Sequence, residues 1–132
     1  MTIRYKRPDE KNAISLVEAA EREMKYTLTL NLSEASAPTI IKNIYECFRM
    51  LGDSLLLSKG VDSDDHVTPI KELIDLKIQT IRPMHLIDNL RRLRININYY
   101  GYKPNLSEAE DAISIAKVLF NPVLSEVKKK IK

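Results

Sequence analysis

Arg91, Arg94 and Asn98 recur at intervals of three and four residues, one row over from Leu86, Leu90, Leu93, Ile97 and Tyr100. That spacing is the period of an α-helix, so the apolar row forms one stripe and the polar row, led by Ile87, runs along its edge. Polar groups beside a face that seeks a core cost energy unless they are paired. A guanidinium turned toward such a seam is suited to a carboxylate or phosphate, which it binds through two parallel hydrogen bonds. Asn98 lies one turn beyond Arg94 and could share that ligand. Tyr99, Tyr100 and Tyr102 follow, and an exposed phenol beside Arg94 or Lys103 could stack on a base, whereas a buried one would only pack. Gly101 then closes the helix, since glycine reaches the left-handed conformation without a Cβ penalty. The polar row marks a ligand site or a subunit contact.

Other reactive residue types are sparse. His66 stands in the acidic loop Asp62-Ser63-Asp64-Asp65-His66, which lacks the glycine and closing glutamate of a calcium loop and has no second histidine nearby. Asp64 or Asp65 with His66 is expected to cap the following helix. His85 has no serine, cysteine or aspartate at a spacing that would make a triad. Cys47 is the only cysteine, which excludes an internal disulfide and a cysteine-rich zinc site, and its place in an apolar pattern predicts an inert buried thiol. There is no phosphate-binding glycine loop, no HExxH and no readable carboxylate pair. No metal or cofactor is implied.

The elements that must position these residues read as helices. The chain has 132 residues, a size suited to one domain spanning 1–132, with 44% hydrophobic and 30% charged residues. Its net charge of +3 permits nucleic-acid contact without arguing for it. No apolar run approaches the roughly 20 residues of a membrane span, and the first residues lack a secretion-type apolar region, so a cytoplasmic protein is expected. Ala13, Leu16, Val17, Ala20, Met24 and Leu28 predict a first helix over about Asp9 to Asn31. Its last residues, Met24 to Leu30, also alternate as a strand would, but a lone strand would have no partner. Ile41, Ile44, Tyr45, Phe48, Leu51 and Leu55 form the inward face of a second helix that stops at Gly60. Thr68 and Pro69 start a short third helix carrying Ile70, Leu73, Ile74 and Ile78, and Pro83 opens the fourth. Ser107 and Glu110 read as the capping box of the last helix, whose inward face holds Ala109, Ala112, Ile113, Ala116, Phe120, Val123 and Val127. Pro122 inside that pattern predicts a kink near Val118 to Asn121, or two helices. The tail from Lys128 to Lys132 reads as a solvated, frayed end. The expected fold is all-α, an antiparallel up-and-down four-helix bundle with one additional short helix.

Three stretches in order carry a family resemblance: Ile44-Tyr45-Glu46-Cys47-Phe48, then Leu55-Leu56-Leu57-Ser58-Lys59-Gly60 with His66 before an amphipathic helix, then Leu93-Arg94-Ile95-Asn96-Ile97-Asn98-Tyr99-Tyr100-Gly101 before the capped last helix. Over about Thr39 to Val127 the chain resembles the HEPN family, the nucleotidyltransferase substrate-binding fold, in a form similar to small archaeal members. The resemblance implies a helical bundle that pairs as a homodimer. It also implies either a metal-independent ribonuclease toxin or a companion of a small nucleotidyltransferase in a toxin–antitoxin pair. In nuclease members an arginine that holds phosphate is followed after four to six residues by a histidine that transfers the proton. Arg94 matches the arginine, Tyr99 stands where the histidine is expected, and Ile95 replaces the asparagine that often follows the arginine. A phenol of pKa about 10 is a poor base near neutrality, so the residues favour binding over catalysis. Arg91, Arg94, Asn98, Tyr99 and Tyr100 are the expected ligand-binding set, for a nucleotide, RNA or a nucleotidyltransferase partner. Two other readings stay open: an endoribonuclease in which Tyr99 or Tyr100 substitutes for the histidine, and a helical dimer scaffold.

Overall fold

The structure, a computed structural model, describes residues 3–132. It is mostly helical: α1 (Glu10–Thr27), α2 (Ala37–Lys59), α3 (Val67–Ile74), α4 (Leu86–Tyr100) and α5 (Leu106–Lys130). Two three-residue strands, β1 (Ile3–Tyr5) and β2 (Val61–Ser63), pair antiparallel with Arg4 opposite Asp62. The sequence predicts no strand at either place, because three residues are too few to show a two-residue period. The chain is mostly helical as expected, with this small sheet in addition.

α2 is the central element and touches every other helix. Ile40, Ile41, Ile44, Tyr45, Phe48 and Leu51 on it are fully buried, and Phe48 meets Phe120 of α5 edge-on at 5.5 Å. Gly52 lets α3 approach: a Cβ there would lie 2.6 Å from the carbonyl carbon of Pro69 and closer still to its oxygen. α2 stops at Gly60, whose φ of 76° is the left-handed conformation that glycine adopts freely.

Several ends differ from expectation. α1 starts where expected, with the Asp9 side chain accepting the Asn12 N–H at 3.1 Å. It finishes at Thr27 rather than near Asn31. The hydroxyls of Thr27 and Thr29 bond back to the carbonyls of Glu23 and Tyr26 at 2.8 and 2.6 Å, the local competition that makes threonine a weak helix continuer. Residues 28–30 form a turn, neither helix nor strand. α3 ends at Ile74, leaving Ile78 outside it, and α4 begins at Leu86, three residues after Pro83.

The capping box of α5 also sits two residues earlier than expected. Asn105 Oδ1 accepts the Glu108 N–H at 2.8 Å and Glu108 Oε1 accepts the Asn105 N–H at 3.1 Å, in place of Ser107 and Glu110. α5 then passes Pro122 as one helix rather than two. Phe120, Val123, Leu124 and Val127 around the proline are all buried, and that burial offsets the lost hydrogen bond. The C-terminal residues are tethered rather than free: Lys128 Nζ lies 3.2 Å from Glu21, and Ile131 is buried in the core.

The strand pair and Gly60 brace the loop that leads into α3. The Lys6 N–H donates to the Gly60 carbonyl at 2.7 Å and the Asp9 N–H to that of Leu57 at 2.9 Å. Arg4 lies 3.4 Å from Asp62.

Candidate anion-binding site

On α4 only Ile87 and Leu90 are buried. Leu86, Leu93 and Ile97, which the sequence places on the inward stripe, are half-exposed, and Tyr100 is 79% exposed. The face that meets α2 is therefore rotated toward the row of Ile87, Arg91 and Arg94. Arginines placed on that face must find partners, and they find different ones. Arg91 Nε donates to Asp88 at 2.7 Å, and Arg92 lies 3.2 Å from the same carboxylate.

Arg94 has no carboxylate. With the Asn98 carboxamide oriented so that its oxygen faces Arg94, that oxygen accepts from Nε at 3.1 Å and from Nη2 at 3.2 Å. The guanidinium carbon lies 5.8 Å from the centre of the Tyr99 ring, within cation–π range. Its third nitrogen, Nη1, is buried and has no hydrogen-bond partner. The other half-buried arginines of the described residues, Arg49, Arg82 and Arg91, each have a carboxylate. Arg94 alone among the half-buried arginines has no carboxylate, and its Nη1 is left without an acceptor.

Residues from other elements complete the junction. Tyr45 of α2 is fully buried, and its hydroxyl stands 2.8 Å from Nδ1 of His66 at the start of α3. Arg49, one turn further along α2, pairs with Glu46 at 2.7 Å and with Asp53 at 3.6 Å, while its Nε is buried without a hydrogen bond. Burial holds the His66 imidazole below its usual pKa, and the positive charges of Arg49, Arg94 and Arg91 push the same way against Glu46. Burial also raises the Tyr45 phenol well above its ordinary range, so it remains protonated. Burial raises Asp53 to about 6 despite Arg49.

No protein-family model, curated protein or solved structure matches this chain.

The geometry thus divides the expected ligand set. Arg94, Asn98 and Tyr99 come together; Arg91 points into the same junction but is committed to Asp88. Tyr100 is turned outward, and Tyr102 donates to Glu108 at 2.6 Å, closing the turn into α5. Tyr99 is 67% exposed, so its ring covers the guanidinium from outside rather than filling the core. His85 is exposed and far from any such arrangement in role, capping α4 without a side-chain bond.

His66 takes a place that the sequence does not reveal. The capping role falls to Asp65, whose Oδ1 accepts the Thr68 N–H at 2.6 Å, which leaves the imidazole free to meet Tyr45. Tyr45 reads from sequence as one more apolar position of α2, and twenty-one residues separate it from His66. A buried tyrosine needs a partner for its hydroxyl, and that need was the only available signal. Among the described residues no three His, Cys, Asp or Glu side chains stand close enough to hold a metal ion.

A groove of about 370 Å³ lies on the opposite side of α4, between it and α5. Leu86, Leu90, Leu93 and Ile115 line it, with Arg92 and Asp111 among its polar residues. No described helix is long and apolar enough to cross a membrane.

Proposed function

We propose that this chain is a HEPN-like, non-catalytic binding protein that holds a phosphate-bearing ligand, a nucleotide or an RNA backbone, on Arg94. The observation that carries the reading is the half-buried guanidinium with no carboxylate and one free N–H. A buried charge without a partner is costly, and a phosphate oxygen would supply both the charge and the acceptor. Asn98 holds the guanidinium plane, and Tyr99 shields it from water. The fold proposed with this function is the antiparallel four-helix bundle of that family, in a cytoplasmic homodimer working beside a small nucleotidyltransferase in a toxin–antitoxin pair of archaeal type. The half-exposed Leu86, Leu93 and Ile97 on α4 support a subunit contact there, since they form an apolar stripe that one copy covers only in part.

Calorimetric titration of the full chain with adenosine monophosphate and with a short RNA tests the binding. Arg94→Ala should weaken it at least about tenfold, the value of one charge-assisted hydrogen-bonded contact of about 1.5–3 kcal/mol. Helical content by circular dichroism should stay unchanged. Equal binding by the variant refutes the site, and sedimentation as a monomer refutes the dimer.

A second reading, metal-independent endoribonuclease, gains support from the Tyr45–His66 contact, whose imidazole feels the positive charge of Arg94. In that case His66, rather than Tyr99 or Tyr100, supplies the proton transfer. RNA cleavage in excess chelator that is lost in Arg94→Ala and His66→Gln, but kept in Tyr99→Phe, would favour the enzyme.

A further inference from the structure

α1 and α5 both lie against α2, and α1 touches α5 only lightly. The seam between them opens beside the last turns of α1 into a cavity of about 240 Å³. Met24, Ala116 and Phe120, all buried, line it together with half-buried Leu28, so much of its wall is hydrocarbon. Glu21 also borders it, but Lys128 Nζ lies 3.2 Å from that carboxylate and ties the two helices together. No residue of the Arg94 junction takes part.

Lys25 of α1 and Lys117 of α5 bring a positive charge to the cavity from either helix. Both are exposed, and among the described residues neither has a carboxylate within ion-pair distance, unlike Lys59, Lys71, Lys128 and Lys129. The one acid of the lining is thus already paired, while its two cations are not. That leaves charges complementary to an anion above walls complementary to an alkyl chain. The two lysines are not equivalent. Lys25 sits in the last turn of α1, whose carbonyl end already attracts it. Lys117 lies in the middle of α5, where no helix end competes for its charge.

One water occupies about 30 Å³ in the liquid, so the cavity has room for roughly eight non-hydrogen atoms. We propose that it binds a medium-chain monocarboxylate, with the alkyl tail on Met24, Leu28, Ala116 and Phe120 and the carboxylate between Lys25 and Lys117. This site is separate from Arg94 and does not depend on the reading given above. Exposed lysines hold a carboxylate weakly, so the tail supplies most of the affinity and the lysines select the sign of the head group. Each methylene removed from the tail should weaken binding about fourfold.

Octanoate is the probe, titrated into the full chain while the methyl resonance of Met24 is followed by NMR, with Met24→Leu used for assignment. The expected result is a saturable shift with a Kd near or below about 1 mM, reasonable for a ligand of about ten non-hydrogen atoms. The methyl of Met84, which does not line the cavity, should stay in place. Heptanoate and hexanoate should bind about fourfold and about fifteenfold more weakly. Octylammonium, with the same hydrophobic tail and the opposite charge, should bind at least about tenfold more weakly than octanoate. Lys117→Ala should weaken octanoate about threefold and Lys25→Ala less, and because both side chains are exposed neither change removes a core contact. Absence of saturable binding below about 10 mM overturns the proposal. So does binding that leaves the Met24 methyl unmoved, or affinity that does not change along the chain-length series. Equal binding of octylammonium, or an unchanged octanoate affinity in the Lys25→Glu, Lys117→Glu double variant, overturns the assignment of the lysines and with it the carboxylate ligand.

Discussion

Gly52→Ala adds one methyl group where α2 meets the backbone of α3 at Pro69. The new Cβ would lie 2.6 Å from the Pro69 carbonyl carbon and 3.0 Å from its Cα, and nearer still to the oxygen. Since carbon atoms pack best at about 3.5–4.0 Å, α3 would have to retreat by roughly 1 Å. Intrinsic propensity acts in the opposite direction, because alanine favours a helix over glycine by about 1 kcal/mol. Overpacking of a dense core costs about 1–3 kcal/mol and occasionally more. Here the obstacle is backbone, not the tip of a flexible side chain, so the upper end applies. A net loss of about 2 kcal/mol is expected after the propensity gain. Urea unfolding followed at 222 nm measures it, with an unchanged m-value showing that the unfolded state is not the cause. The same displacement would stretch the 2.8 Å contact between Tyr45 and His66, which His66 ring chemical shifts report. Stability equal to or above the parent, with those shifts unmoved, would refute the packing argument.

Asp53 should make stability fall as pH rises. Burial sets its folded pKa at about 6, above the ordinary 3.8, so the folded chain keeps a proton that the unfolded chain releases. Its contribution is intact below about pH 4 and is lost as pH rises through about 6, a change of about 2 kcal/mol after allowance for partial exposure. Asp53→Asn should therefore be more stable than the parent at about pH 8 and similar near pH 4 in urea titrations. Asn105→Ala should cost about 1 kcal/mol by removing the cap of α5, whereas Ser107→Ala should fall within about 0.5 kcal/mol, and thermal melts compare the two. Cys47 is fully buried, and burial pushes its thiol up to about 12, so the native chain should resist a thiol reagent at neutral pH and react only on unfolding.

The arginine that matters was legible in the sequence, and its surroundings were not. Helical period put Arg91, Arg94 and Asn98 on one row, and a row along a single helix is a local property. The face of α4 that turns inward depends on its neighbours: Ile87 and Leu90 are buried, and Leu86, Leu90 and Leu93 line the groove beside α5. The inward face straddles the two adjacent rows, with Leu90 of the expected stripe and Ile87 of the polar row both buried, because both rows are partly apolar. The strands and the shifted capping box were missed for a simpler reason: each rests on three or four residues, fewer than a period needs to stand out.

What the chain determines by itself is local. Gly60 and Gly101 end their helices because both carry positive φ, Asp9 and Asp65 supply side-chain oxygens to free N–H groups, and the single Cys47 can form no internal disulfide. Asp88 and Arg91, three residues apart on α4, pair locally as well. Tertiary structure alone decided that Tyr45 and His66 should meet and that Arg94 should be half-buried without an acid. Those outcomes depend on how four helices stack around α2, and stacking is set by buried volume, which no spacing along the chain encodes.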